Sequence, residues 1–391
     1  MMKYKKITDL QLKNKIIFLR TDMNVPILDG EISDNTRITA GLTTIKYALE
    51  QGAKLIIATH LGRPTEGQFD ADFSVAIIAK NLAKLLNMDV PVLSEIPEKI
   101  NFSHSNIVML ENVRFNVGEK SNDSQLGKKY ANLCDIFVHD AFAASHRKEA
   151  STDAVGYHTD TVCAGLLMIK ELEALTSAVT NPQSPVVAIV AGSKVSTKLN
   201  ILKNLAHKVD YLIVGGGILN TFLLATNHKV GKSLVEKELV NEAKQIIEIM
   251  NAKGKVIPLP EEVITAKHFS PNEIAVEKSI NSIEADDMIL DVGANFANKL
   301  SEVIETAKTI IWNGPIGVFE FDQFANGTKV LAHSIANSKA FSLAGGGDTI
   351  AAINKFALMH KISYVSTAGG ALLEFLEDKE LPAITLLTRK N

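Results

Sequence analysis

Short runs of β-branched and aliphatic residues alternate along the chain with longer segments whose apolar positions recur at helical spacing. Ile16 to Leu19 precedes a helical pattern from Thr36 to Gln51, and Leu55 to Ala58 precedes an amphipathic stretch from Phe73 to Leu86. Ile107 to Leu110 and Ile136 to Val138 extend the strand series. This βαβα rhythm predicts a parallel sheet covered by helices. Thr161 to Ala178 reads as one helix, and Asn181-Pro182-Gln183-Ser184-Pro185 then marks a boundary, because proline disfavours a helix before it. The rhythm restarts with strands predicted at Val186 to Val190, Tyr211 to Val214, Val256 to Ile257, Met288 to Asp291, Thr309 to Trp312, Phe341 to Ala344 and Ile362 to Val365. Rhythm alone also permits one large barrel, but the break near residues 162–185 fits two α/β domains better.

A length of 391 residues agrees with more than one domain. The chain is 46% hydrophobic and 22% charged, so it can bury sizeable cores and lacks the composition of a disordered protein. Forty-one basic and 44 acidic residues give a net charge of -3, which excludes an overall field that recruits nucleic acid or an acidic membrane. The beginning of the sequence lacks a signal-like apolar core, and the later apolar runs are broken well short of a membrane span of roughly 20 residues. A cytoplasmic protein is expected. Cys134 and Cys163 lack the spacing of a zinc or redox motif and read as structural thiols.

The basic residues are unevenly made up. Only Arg20, Arg37, Arg63, Arg114, Arg147 and Arg389 are arginines, and all but the last precede residue 150. Arg37, Arg63, Arg114 and Arg147 fall in separate strand-to-helix connections or at helix starts, with His60 and His146 beside two of them. Ligands of open α/β sheets bind outside the carboxyl ends of the strands. Four guanidinium forks on one sheet edge would therefore surround a multiply charged anion, a task that suits Arg better than Lys. Ordinary surface ion pairs are the alternative for each one singly. Asp22 and Asn24 follow the first strand and are candidates for binding substrate hydroxyls, with Asx turns as the competing explanation.

In the second half, Gly192-Ser193-Lys194-Val195-Ser196-Thr197-Lys198 follows a strand and brings backbone N–H groups and two ammonium groups within reach of phosphates. The GxxxxGK[ST] spacing is absent, and Lys198 on a solvated helix face is the plain alternative. Gly345-Gly346-Gly347-Asp348-Thr349 is the stronger signal, since glycines let phosphates approach the backbone and Asp348 offers an oxygen to magnesium. A simple N-cap would also explain Asp348. Trp312-Asn313-Gly314-Pro315 with Glu320 is a candidate for the adenosine side.

The ordered set of motifs resembles the phosphoglycerate kinase family. The matching segments are Arg20-Thr21-Asp22-Met23-Asn24-Val25-Pro26, Asp34-Asn35-Thr36-Arg37-Ile38, His60-Leu61-Gly62-Arg63-Pro64, Leu110-Glu111-Asn112-Val113-Arg114-Phe115 and Asp140-Ala141-Phe142 with His146-Arg147. They continue through Lys194-Val195-Ser196-Thr197-Lys198, Gly215-Gly216-Gly217, Trp312 to Glu320, Gly345 to Thr349 and Gly369-Gly370-Ala371, so the resemblance spans nearly the whole chain.

What the resemblance implies is a fold of two Rossmann-like, three-layer α/β/α domains with mainly parallel sheets joined by a helical hinge. Residues 1–165 would bind phosphoglycerate, 166–184 would link, and 185–371 would bind nucleotide, with a tail, 372–391, returning to the first domain. The implied enzyme is a monomeric, ATP-dependent phosphotransferase of glycolysis acting on a carboxyl group. It moves the 1-phosphoryl group of 1,3-bisphosphoglycerate to ADP, giving 3-phosphoglycerate and ATP with Mg2+. Carried over residue by residue, Asp22, Asn24, Arg37, His60, Arg63, Arg114 and Arg147 hold phosphoglycerate. Gly192, Lys194, Lys198, Gly217, Asn313, Glu320, Gly346, Gly347, Asp348 and Thr349 take the nucleotide side. Glu320 is expected at the ribose and Asp348 at the metal, while Arg37, Lys194 and Gly347 are expected at the transferring group. Domain closure would exclude water.

Some positions depart from the family pattern. Ala143, Ser145 and Glu149 stand where glycine, alanine and histidine are usual, Ala294 and Phe296 replace a proline and a hydroxyl residue, and Ala368 and Leu372 alter the closing glycine motif. Because they cluster in functional loops, a catalytically weakened binding or scaffold protein is the rival reading. A nucleotide-dependent dehydrogenase shares only the α/β rhythm, since no GxGxxG fingerprint is present.

Overall fold

The computed structural model describes residues 3–389. Met1, Met2, Lys390 and Asn391, at the outer limits of the expected domains, lie outside the described residues. Contacts group the chain into two units, Met1–Glu173 with Glu380–Asn391, and Ala174–Lys379. The helix Gly370–Leu376 groups with the second unit and the helix Pro382–Arg389 with the first.

The first unit is built on a six-stranded parallel sheet in the order Val92–Leu93, Ile107–Leu110, Lys54–Ala58, Ile16–Thr21, Ile136–Asp140, Thr161–Ala164. Strands buried on both faces need near-continuous apolar runs, and Ile17, Phe18 and Leu19 are fully buried in this way. The ring of Phe18 lies 5.2 Å from that of Tyr130 and 6.0 Å from that of Phe137, in tilted pairs. Helix Thr36–Glu50 buries Ile38, Leu42, Ile45 and Ala48. That stripe recurs at the helical period, and burying each large aliphatic side chain contributes roughly 1.5–3 kcal/mol.

The expected helix from Thr161 to Ala178 is in fact three pieces. Thr161–Ala164 is the sixth strand, pairing Val162 with Phe137 and Cys163 with Val138. The helix then covers Leu166–Leu175 and a π-helical turn covers Thr176–Thr180. Val162, Cys163 and Ala164 are fully buried, and only Gly165 separates them from an equally apolar helix, so periodicity gives no visible break. Burial pushes the Cys163 thiol up and the Cys134 thiol to about 12, which leaves both inert.

The second unit carries a five-stranded parallel sheet in the order Tyr211–Gly216, Val186–Gly192, Thr309–Asn313, Phe341–Gly345, Tyr364–Ser366. Trp312 is buried in its central strand and donates its indole N–H to the Gly314 carbonyl at 3.0 Å. Met288–Val292, expected as part of this sheet, instead pairs antiparallel with Glu262–Ala266, which also pairs with Val276–Ser279. Glu262–Ala266 opens on a charge and holds only Val263-Ile264 as a large apolar pair, and Val276–Ser279 turns polar at Glu277-Lys278, so neither forms a long apolar run. Val256 contributes only a bridge to Tyr211, because Pro258 and Pro260 remove the donors a longer pairing needs.

Candidate functional site

Parallel pairing sets four strand ends of the first sheet side by side, with Arg20 opposite both Ala58 and His139, and Thr21 opposite Asp140. The connections after those ends carry Asp22 and Asn24, His60 and Arg63, Arg114, and Arg147. Arg37 comes from the first turn of the helix that follows the first strand. Arg37 Nη1 donates to Asp22 Oδ2 at 2.9 Å and to the Asn24 carbonyl at 3.1 Å. Asn24 N–H closes an Asx turn on Asp22 Oδ1, so the plain explanation of this pair holds as well. Asn24 Oδ1 accepts from Gly62 N at 2.9 Å, and Arg114 Nη1 donates to the Gly62 carbonyl at 2.8 Å. Arg114 Nη2 completes the chain with a buried ion pair to Glu149 Oε1 at 3.0 Å. Glu149, a departure from the family pattern, thus pairs with Arg114 and not with its sequence neighbour Lys148.

His60 reports the electrostatics of this edge. Burial, then the charges of Arg20, Arg114, Arg147 and Arg37, hold its imidazole well below the usual range. Arg147 is half-buried, and burial followed by repulsion from Arg114 lowers its own pKa. Arg63 is exposed and its side chain makes no hydrogen bond among the described residues. Of the four arginines expected at one edge, Arg37 and Arg114 are joined through Asn24 and Gly62, Arg147 acts on His60 through its charge, and Arg63 stays at the surface. The sequence reading missed Arg20 as a fourth contributor, although its place one residue before Thr21-Asp22 at a strand end was the available signal.

In the second unit, a cavity of about 470 Å³ is lined by Gly192, Gly217, Glu320 and Asp348 among the expected residues. Its apolar wall is Leu219, Phe269, Leu290, Ile316 and Val318. Leu290, Ile316 and Val318 lie in segments marked in the sequence for other reasons, whereas Leu219 and Phe269 carry no local signal that assigns them to a site. Helices Gly217–Ala225 and Gly347–Lys355 both begin without a side-chain cap, directly after strands of the parallel sheet. Free N–H groups at such helix starts attract anions. Gly346 has φ +101°, and a Cβ there would lie 2.9 Å from Asn313 Nδ2, so only glycine lets the turn close.

Other expected residues support the cavity from behind. Lys198 Nζ donates to the carbonyls of Ala191 at 2.6 Å and Asn313 at 3.2 Å, and burial pulls its pKa down to about 8. Asn313 Nδ2 donates to the Gly345 carbonyl, and Thr349 Oγ1 accepts from Gly314 N at 2.8 Å. Lys194 is exposed, and its ammonium forms no hydrogen bond among the described residues. An apolar wall for a base, uncapped helix starts for phosphates and two exposed carboxylates, Glu320 and Asp348, fit a nucleotide with Mg2+, which is held through few carboxylates plus phosphates. Another acidic trio, Glu284, Asp286 and Asp287, is bridged by Lys267 and Lys278 and offers no bare carboxylates.

The model of the family described as phosphoglycerate kinase matches residues 7–379. The chain belongs to the phosphoglycerate kinase family. The phosphoglycerate kinase of Coxiella burnetii is similar over 99% of each chain, with 48% sequence identity and a TM-score of 0.96. The enzyme of Pyrococcus horikoshii OT3 is 32% identical over 99% of each chain, with a TM-score of 0.79. The two α/β units with mostly parallel sheets agree with the phosphoglycerate kinase fold. No helix among the described residues is long and apolar enough to cross a membrane.

Proposed function

We propose that the chain catalyses reversible transfer of the 1-phosphoryl group of 1,3-bisphosphoglycerate to ADP, giving 3-phosphoglycerate and ATP. The observation that carries this reading is the bonded edge of the first sheet, where Arg37 holds Asp22 and Asn24, Asn24 and Arg114 meet on Gly62, and Arg20 faces His60, in a chain of this family. A β-phosphate oxygen of ADP attacks the phosphorus in line, the bond from phosphorus to the acyl oxygen breaks, and the carboxylate of 3-phosphoglycerate leaves with that electron pair. No covalent enzyme intermediate is needed. Catalysis then rests on alignment and on neutralising charge at the moving group.

In this reading Asp22, Asn24, His60, Arg63, Arg114 and Arg147 orient phosphoglycerate. Arg37, Lys194 and Gly347 act on the transferring phosphoryl group. Gly192, Gly217, Lys198, Asn313, Gly346 and Thr349 shape the phosphate subsite, with Glu320 toward the ribose. Asp348 would hold Mg2+, which when bound neutralises and orients the nucleotide phosphates. The chain is read as a cytoplasmic monomer with a first domain of 1–165 and a second of 185–371.

A Mg-dependent assay of ATP formation, run with an Arg147→Ala variant, tests the reading. The wild type is expected to turn over, and the variant is expected to raise KM for 3-phosphoglycerate about tenfold in the reverse direction. Tight ligand binding without any transfer would favour the scaffold alternative instead.

Glu149 is expected to trade affinity for stability. Its carboxylate cancels one positive charge at the site while pairing with one terminal nitrogen of the buried Arg114 guanidinium. Glu149→Gln keeps a hydrogen-bond acceptor but uncovers the guanidinium charge, so stability should fall by roughly 2–3 kcal/mol. KM for 3-phosphoglycerate should fall several-fold at the same time. Denaturant unfolding and steady-state kinetics on one preparation check both halves, and a raised KM would mean that Glu149 chiefly positions Arg114.

A further inference from the structure

Arg20 is not among the residues assigned above to hold phosphoglycerate, yet its fully buried guanidinium reaches from the core to the site. Nε donates to Ser151 Oγ at 2.8 Å, Nη1 donates to the Thr21 carbonyl at 2.5 Å, and Nη2 lies 3.4 Å from His60 Nδ1. Ser151 Oγ passes its own hydrogen to Glu119 Oε1. Glu119 is buried too, and it also accepts from Ser151 N and, at 3.4 Å, from Tyr130 Oη. The chain of donors thus has one direction, from guanidinium to hydroxyl to carboxylate. A guanidinium holds donors only, so the ring nitrogen it faces must present a lone pair.

We propose that Arg20, anchored by Ser151 and Glu119, fixes His60 in the neutral tautomer that carries its proton on Nε2, making it a directional donor to the bound anion. Nε2 makes no hydrogen bond among the described residues, which leaves it for a ligand. The surrounding Arg20, Arg37, Arg114 and Arg147 charges act in the same sense, since a further cation among them is disfavoured. His60 adds geometry where the arginines add charge. Arg20 is in this scheme a positioning residue, and the inference rests on the reading of this edge as the phosphoglycerate site only for the identity of the anion.

Nitrogen-15 spectroscopy of the imidazoles in the full-length protein at pH 7, without substrate, tests the assignment. The His60 signal is identified by its loss in His60→Gln. The expected wild-type pattern is a neutral ring protonated at Nε2. Ser151→Ala removes only the hydroxyl, so the guanidinium is free to turn directly toward Glu119 and release Nδ1. That variant is expected to show a second population protonated at Nδ1 and a several-fold higher KM for 3-phosphoglycerate. Arg20→Lys retains a donor and is expected to keep the wild-type pattern if it folds. A wild-type ring protonated at Nδ1, an imidazolium at pH 7, or an unchanged tautomer population in Ser151→Ala would each overturn the proposal. The spectrum needs no turnover, so an inactive protein with the Nε2 pattern would sink the proposed function and leave this inference standing.

Discussion

Arg37→Ala is expected to lower kcat by about 10²- to 10³-fold while the melting temperature stays within a few degrees of wild type. The size of the kinetic loss follows from removing one preorganised cation aimed at charge that develops in transfer. The small stability change follows from exposure. The Arg37 side chain is 35% accessible, and its pair with Asp22 resembles partly solvated ion pairs that contribute about 0–1 kcal/mol. Coupled ATP formation and thermal unfolding read the two quantities separately. A variant with near wild-type kcat would remove Arg37 from the transferring group, whereas an equal collapse of both would make it a scaffold residue. Arg37 also donates to the Asn24 carbonyl, so Lys at this position keeps the charge but loses the planar fork.

The parts of the molecule that were legible in the sequence are those in which one physical signal dominated. Ile107 to Leu110 and Ile136 to Val138 are fully apolar because both faces of a parallel strand are covered, and each was readable for that reason. Thr161–Ala164 carries the same signal, but it runs into the helix Leu166–Leu175 without a polar interruption, and the joint pattern imitates a single helix. The antiparallel strands Glu262–Ala266 and Val276–Ser279 fail for the opposite reason, since the first has only Val263-Ile264 as adjacent large apolar residues and the second only Val276, too few positions to show a period.

The site divides along similar lines. The arginines and glycines stood out because their residue types are costly or unusual where they occur, and motif order did the rest. Side-chain direction was not legible. Nothing in the local sequence separates Arg63, which remains at the surface, from Arg114, which is buried against Gly62 and Glu149. The partner of Arg114 lies 35 positions away, in the segment after a strand that two others separate from its own in the sheet. Ser151 and Glu119 were equally invisible, because a buried polar network is defined by tertiary pairing and leaves no periodic trace.

Gly314→Ala and Gly347→Ala are expected to separate stability from nucleotide binding, although both glycines lie in motifs of the second unit. Gly314 has φ +115°, and a Cβ there would sit 2.0 Å from the Ala191 carbonyl oxygen and 2.7 Å from its carbon. Those atoms belong to the strand Val186–Gly192, which pairs with Thr309–Asn313 in the middle of the sheet, so neither backbone can yield cheaply. Steric overlap and left-handed strain together should cost about 3 kcal/mol or more, seen as a lowered denaturant midpoint. Gly347 differs on both counts. It opens the helix Gly347–Lys355, has no positive φ, and would place a Cβ with nothing within 4 Å. Alanine is the better helix former by up to about 1 kcal/mol, so the Gly347→Ala midpoint should hold or rise slightly. Its methyl group would nevertheless occupy the space through which phosphates approach the helix start, and ADP affinity is expected to fall about tenfold. Calorimetric titration with Mg-ADP measures that loss. Unimpaired ADP binding in Gly347→Ala would move the phosphates away from this helix, and an unaltered midpoint in Gly314→Ala would show that the turn can be rebuilt without glycine.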